Sequence, residues 1–307
     1  MDHHTVERWA KARSFHHSSY PAERIAAARA ERGLSVSVCL PARECAGTVG
    51  EIVGALAQLH AVGAIDEIVV IDAASEDGTA AVAESAGAEV WQEEELLSEL
   101  GPVLGKGDAM YRALSRLKGE LVCFLDADTE GFSAHFATGL LGPLVCERGV
   151  DFVKAFYRRP FEQGGVWKAE GGGRVNHLTA RPALELFYPE LAGVSQPLAG
   201  EVAARRGLLE RLPFVTGYGV EIAMLIDVWR EVGLEAIAQV DLDEHRNRHQ
   251  PLKALNPMAF TVLATIARRL TQEGRLSDPR AGERAGLAES TDGAPVERPP
   301  LASVGVT

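Results

Sequence analysis

Asp126 and Asp128 close the run Leu121-Val122-Cys123-Phe124-Leu125-Asp126-Ala127-Asp128, in which five apolar residues lead directly into two carboxylates. A short apolar run before a polar break reads as a strand buried on both faces. Side chains alternate along a strand, so Asp126 and Asp128 point the same way at its carboxyl end. In open α/β sheets ligands bind at that end. Two hard oxygen donors at this spacing suit Mg²⁺ or Mn²⁺ held together with substrate phosphates. A solvated Asp-Ala-Asp turn before Thr129-Glu130-Gly131 is the plainer alternative.

Two further places could do chemistry. Lys106 stands between Gly105 and Gly107 at a predicted helix start, where glycines admit a ligand and the helix N-terminus favours anions. His245 lies in Glu244-His245-Arg246-Asn247-Arg248, just after a predicted strand. Taken alone it fits a surface or capping histidine.

The elements that must position these residues alternate. Strands are predicted at 35–40 (ended by Pro41), 67–71, 89–92, 121–125, 151–157 and 235–241. Helices are predicted from a Thr48/Glu51 capping box to about residue 60, after the acceptor-rich turn 72–79, and over 108–117, 219–232 and 257–270. This pattern predicts an α/β fold with a mostly parallel sheet and a less regular second half. No GxGxxG follows the first strand and no GxxxxGK[ST] occurs, which argues against dinucleotide and P-loop sites.

The 307 residues carry a net charge of −12, which disfavours nucleic acid and anionic membranes as partners. An anionic substrate therefore needs a local group of cations or a metal. The cysteines Cys39, Cys45, Cys123 and Cys146 form no CxxC pair and fit reduced thiols. The first ten residues lack an apolar signal core and no run of about 18 apolar residues occurs, so a soluble, cytoplasmic protein is expected. Residues 1–33 read as a helical, partly mobile extension, whose His3-His4 and His16-His17 pairs read as solvated. Residues 278–307, rich in Pro, Gly, Ser, Ala and charge, read as a disordered tail.

A strand ending in Asp-x-Asp within such a half resembles the glycosyltransferase-A fold. Val153-Lys154-Ala155-Phe156-Tyr157-Arg158-Arg159-Pro160, Gly171-Gly172-Gly173-Arg174-Val175, Gly217-Tyr218-Gly219-Val220-Glu221-Ile222 and His245-Arg246-Asn247-Arg248 narrow the likeness. Together and in this order they resemble the glucosyl-3-phosphoglycerate and mannosyl-3-phosphoglycerate synthase family over roughly residues 34–270. The resemblance implies a retaining, Mg²⁺- or Mn²⁺-dependent homodimer that moves a hexose from a nucleotide sugar to 3-phosphoglycerate. It divides the domain into a nucleotide-sugar half at 34–130 and an acceptor half at 131–277.

Residue roles follow from the same resemblance. Asp128 and His245 would hold the metal, and Asp126 and Glu221 would act at the sugar. Pro41, Ala42, Glu44, Asp72, Ser75, Lys106 and Ala127 would complete the donor site. Gly173, Arg174, Val175, Asn176 and Asn247 would bind the acceptor, with Arg158 and Arg159 available for anions. Consecutive glycines can offer backbone N–H groups to an anion, and an arginine adds a bidentate fork. The family's first loop usually reads Pro-Ala-Leu-Asn-Glu-Glu; here it is Pro41-Ala42-Arg43-Glu44-Cys45-Ala46. That change predicts a loosened grip on the base and leaves UDP-glucose and GDP-mannose both open as donors. Two other readings compete: an inverting, polysaccharide-type transferase and a non-catalytic nucleotide-sugar-binding protein.

Overall fold

The central strands are buried on both faces, which is why they read as largely hydrophobic runs. The computed structural model describes residues 3–163, 166–168, 171–246, 251–277 and 296–305. The first half runs α1 (His3–Ala12), β1 (Ser14–His16), α2 (Ala22–Arg32), β2 (Val36–Ala42), α3 (Val49–Ala61), β3 (Glu67–Asp72), α4 (Thr79–Ala86), β4 (Glu89–Gln92), α5 (Lys106–Ala113) and β5 (Leu121–Phe124). The second runs α6 (His135–Cys146), β6 (Phe152–Arg158), β7 (Phe161–Gln163), β8 (Val166–Lys168), α7 (Arg181–Phe187), β9 (Val202–Arg205), α8 (Arg206–Leu209), β10 (Phe214–Val215), α9 (Val220–Val232), β11 (Ile237–Glu244), α10 (Leu252–Gln272) and β12 (Glu297–Arg298).

The main sheet has the order β1-β11-β6-β9-β5-β2-β3-β4. Its neighbours are parallel except β9, which runs antiparallel between β5 and β6. Helices cover both faces. Val122 and Phe124 of β5 join a core with Met110 of α5, Leu225 of α9 and Ile266 of α10. Leu121 and Cys123 point the other way, to Val53 of α3 and Leu140 of α6. This is the α/β architecture with a mostly parallel sheet that the sequence predicts.

Several local expectations change. β2 continues through Pro41 to Ala42, because β5 pairs only as far as Cys39 and no ladder donor is needed at Pro41 on that side. The Thr48/Glu51 capping box is replaced by a tertiary contact: Thr48 Oγ1 donates to the carbonyl of Ala127 at 2.6 Å. The N-terminal extension is built into the sheet, with β1 beside β11, Trp9 buried and its Nε1 donating to the Ile237 carbonyl at 3.0 Å. Residues 296–305 do not behave as a tail either. β12 pairs antiparallel with β10, and Leu301 is buried. Residues 278–295 and 306–307 lie outside the described residues.

Candidate active site

The carboxyl ends of the adjacent strands β2, β3 and β5 lie together, and α5 begins beside them. Asp126 leaves the end of β5, and Lys106 Nζ, at the N-terminus of α5, contacts its Oδ1. The same ammonium lies 3.2 Å from Glu221 Oε1 in the first turn of α9. Burial works against the Lys106 charge, but Asp126 and Glu221 outweigh it and hold the ammonium well above the ordinary lysine range. Gly200 closes this group from below. A Cβ there would lie 2.4 Å from Lys106 Nζ and 2.5 Å from Asp126 Oδ2.

His245 follows β11 and is buried. Its Nε2 is 2.8 Å from Glu201 Oε1 and 3.2 Å from Thr129 Oγ1, while Nδ1 has no hydrogen-bond partner among the described residues. The ring stacks on Tyr157, with centroids 4.5 Å apart, and the Tyr157 hydroxyl donates to Glu201 Oε2 at 2.7 Å. Burial alone would raise the Glu201 carboxyl, yet His245, Arg159 and Tyr157 hold it well below the usual carboxylate range. Glu201 therefore stays charged against the imidazole, although its Oε1 has no hydrogen-bond partner among the described residues.

Ligand atoms of Asp126, Glu201 and His245 all lie within 4.8 Å of one another. One imidazole and two carboxylates are donor types that fit a divalent cation, and the Nδ1 of His245 is left without a partner among the described residues. Asp128, expected with His245, stands outside that trio. It is exposed.

Ala42 pairs with Asp72 at the ends of β2 and β3. Asp72 is buried; its Oδ2 accepts from Ser75 N and Gln92 Nε2, both at 3.1 Å, and its Oδ1 has no partner among the described residues. The loop 43–46 is not slack, contrary to what its missing carboxylates suggest. Glu44 N donates to Ser75 Oγ (2.9 Å), Cys45 N to Thr79 Oγ1 (2.8 Å) and Ala46 N to Asp77 Oδ2 (2.9 Å). Backbone groups hold it, so its side-chain changes leave its conformation pinned.

Gly173 has φ +66° and opens the turn that carries Arg174, Val175 and Asn176. The Arg174 guanidinium sits over the Phe161 ring, 5.1 Å from its centroid. Asn176 is buried; its Oδ1 accepts from Leu198 N at 3.3 Å and its Nδ2 has no partner among the described residues. Arg159 donates to the Tyr157 hydroxyl at 3.0 Å and so supports the Glu201 group. Asn247 lies outside the described residues.

Sequence reasoning missed Glu201 and Lys154 as parts of this site. Glu201 precedes the four-residue β9, too short and too mixed to signal a strand. Lys154 is buried in β6, where burial pushes its ammonium down to about 8, and its Nζ donates to the Ala199 carbonyl at 2.8 Å. It thereby holds the turn that presents Gly200 and Glu201.

A profile described as glycosyl transferase family 2 matches residues 37–169. A glucosyl-3-phosphoglycerate synthase of Mycolicibacterium smegmatis is 40% identical over 97% of this chain and 98% of its own length. The Petrotoga mobilis protein of the same name is also 40% identical, over 86% and 82%. A crystal structure of mannosyl-3-phosphoglycerate synthase from Rubrobacter xylanophilus superposes with a TM-score of 0.87 at 47% identity, covering 97% of this chain and 99% of that one. Glucosyl-3-phosphoglycerate synthase from Mycobacterium tuberculosis, in complex with Mn²⁺, UDP and glucosyl-3-phosphoglycerate, superposes with a TM-score of 0.79 at 37% identity, over 93% and 96%.

Proposed function

Because this chain belongs to the glucosyl-3-phosphoglycerate synthase family of glycosyltransferases, we propose that it transfers glucose or mannose from a nucleoside-diphosphate sugar to 3-phosphoglycerate with retention. The observation that carries this reading is the group Lys106, Asp126, Glu201, Glu221 and His245 at the carboxyl end of β5.

Asp128 and His245, through its unpartnered Nδ1, hold the divalent cation, and Glu201 keeps the imidazole oriented. When bound, that cation supplies Lewis-acid stabilisation of the diphosphate leaving group. Lys106 adds a fixed positive charge facing the same group. Asp126 and Glu221 accept hydrogen bonds from sugar hydroxyls, and their shared ion pair with Lys106 keeps both carboxylates aimed. Pro41, Ala42, Glu44, Asp72 and Ser75 carry the nucleoside, and Ala127 lies against it. Gly173, Arg174, Val175, Asn176 and Asn247 hold the acceptor's phosphate and carboxylate. Two opposite charges ~4 Å apart attract by ~4 kcal/mol at an effective dielectric near 20, enough to retain a small trianion on an acidic protein.

The chain is read as a cytoplasmic homodimer. The test of the whole reading is a donor panel of UDP-glucose, GDP-glucose and GDP-mannose assayed with 3-phosphoglycerate and Mg²⁺ or Mn²⁺. An α-linked hexosyl-3-phosphoglycerate is expected. An inverted product would favour the polysaccharide-type alternative, and binding without turnover would favour a nucleotide-sugar-binding protein.

A further inference from the structure

His16 and His17 read as a solvated pair in the sequence, but the fold brings both to Asp243, more than two hundred residues away. His17 Nε2 lies 2.7 Å from Asp243 Oδ2, and His16 Nε2 lies 3.4 Å from Oδ1. These ligand atoms lie within 4.8 Å of one another.

The three side chains are built into place. Register between β11 and β6 shifts between Asp241 and Glu244, and Asp243 takes a left-handed backbone, φ +67°, which few non-glycine residues adopt. Asp243 N donates to Asp241 Oδ1 at 2.9 Å, fixing that kink. On the other side, the His17 ring is sandwiched between His16 and His135, with centroids 4.5 and 4.3 Å away. His135 is itself anchored to the Leu242 carbonyl, 3.1 Å from its Nε2. The backbone of His17 packs so closely on α6 that a Cβ at Gly139 would lie 2.9 Å from the His17 Cβ. His16 Nδ1 is 2.8 Å from Ser18 Oγ.

We propose that His16, His17 and Asp243 form a second cation site, separate from the one at His245, that takes a borderline transition-metal dication of the Zn²⁺ class. Two imidazoles and one carboxylate suit Zn²⁺, whereas Mg²⁺ prefers an all-oxygen set. On its far side the His16 ring is held through Nδ1, which accepts from Ser18 N at 3.2 Å and lies 2.8 Å from Ser18 Oγ, so Nε2 stays aimed at Asp243. The open side of the site, where His16 and Asp243 are about half exposed (44% and 51%), leaves room for water as a further ligand. A bound ion ties the N-terminal edge strand to the end of β11 and so stabilises the fold by linkage.

The test uses the full chain without an affinity tag, stripped with chelator and dialysed against micromolar free Zn²⁺. Wild type is compared with His16→Gln, His17→Asn and, for the other site, Asp128→Asn. His16→Gln changes an exposed ring, and its melting temperature in chelator reports that it still folds. Each histidine variant is expected to bind one Zn²⁺ fewer per chain than wild type and to lose most of the Zn²⁺-induced rise in melting temperature. Cu²⁺ loaded into Asp128→Asn should show hyperfine coupling to two imidazole nitrogens, and that coupling should change in His16→Gln. Equal Zn²⁺ stoichiometry in wild type and both histidine variants would overturn the proposal.

Discussion

Arg298 reaches back to Asp108, its Nε 2.8 Å from Oδ1 and its Nη2 3.0 Å from Oδ2. Asp108 is fully buried in the first turn of α5, two residues after Lys106, and also binds Arg112 Nε and Leu104 N, each at 3.1 Å. Arg298 further donates to the Leu100 carbonyl at 2.8 Å. A segment that reads as a tail therefore holds the loop and helix that present the lysine. Arg298→Ala is expected to destabilise the fold by about 2–4 kcal/mol, since Asp108 keeps Arg112 but loses its bidentate partner. Chemical melts check the stability, and donor KM should rise with it. Truncation after residue 277 should be at least as damaging; unchanged stability in that truncation would refute the role.

Glu201 is expected to act through His245 and not on substrate. Glu201→Gln removes the charge beside the imidazole but keeps its shape, and should weaken Mn²⁺ binding ~10–100-fold. Turnover at saturating Mn²⁺ should recover in large part. Asp128→Ala should instead lose at least ~10²-fold in turnover at any Mn²⁺ concentration, the scale for removing a preorganised charge stabiliser. Calorimetric Mn²⁺ titration with steady-state assays separates the two. If Asp128→Ala binds Mn²⁺ as tightly as wild type and keeps its turnover, its role at the metal is wrong.

Arg174→Ala should raise KM for 3-phosphoglycerate far more than KM for the sugar nucleotide. Arg174→Lys should rescue it poorly, because an ammonium cannot replace the planar fork or its stacking on Phe161. A loss confined to the donor KM would place the glycine turn on the other half of the cleft.

Glu93 gives a pH signature. It is buried, neither carboxylate oxygen has a partner among the described residues, and burial, then the nearby Asp108, push its carboxyl up to about 8. Its value in the unfolded chain is ~4.3. Between those values the unfolded chain has lost the proton and the folded one keeps it, so stability falls as pH rises through the window. Glu93→Gln should flatten that fall and be more stable than wild type at pH 8, by a few kcal/mol, since each tenfold difference in proton affinity is worth ~1.4 kcal/mol. Urea melts at pH 5 and pH 8 test it; parallel pH profiles for the two proteins would exclude Glu93 as the source.

Much of the site was legible in the chain because it depends on local order. An apolar run ending in Asp126-Ala127-Asp128 had to be a buried strand with its carboxylates at the ligand end. Gly105-Lys106-Gly107 had to be a helix start open to an anion. The His245 and Arg174 motifs carried their family likeness in their own few residues. Tertiary structure decided what no short window contains. Glu201 reaches His245 because β9 runs antiparallel between β5 and β6, a pairing that a four-residue strand cannot announce. Lys154 reads as a strand residue until β9's approach gives it the Ala199 carbonyl. His16 and His17 were solvated in the sequence and meet Asp243 because β1 joins the sheet edge beside β11. Arg298 pairs with Asp108 at a separation of 190 residues. Backbone propensity and hydrophobic period are properties of neighbours along the chain, whereas a buried charge is placed by whichever distant partner offsets its desolvation.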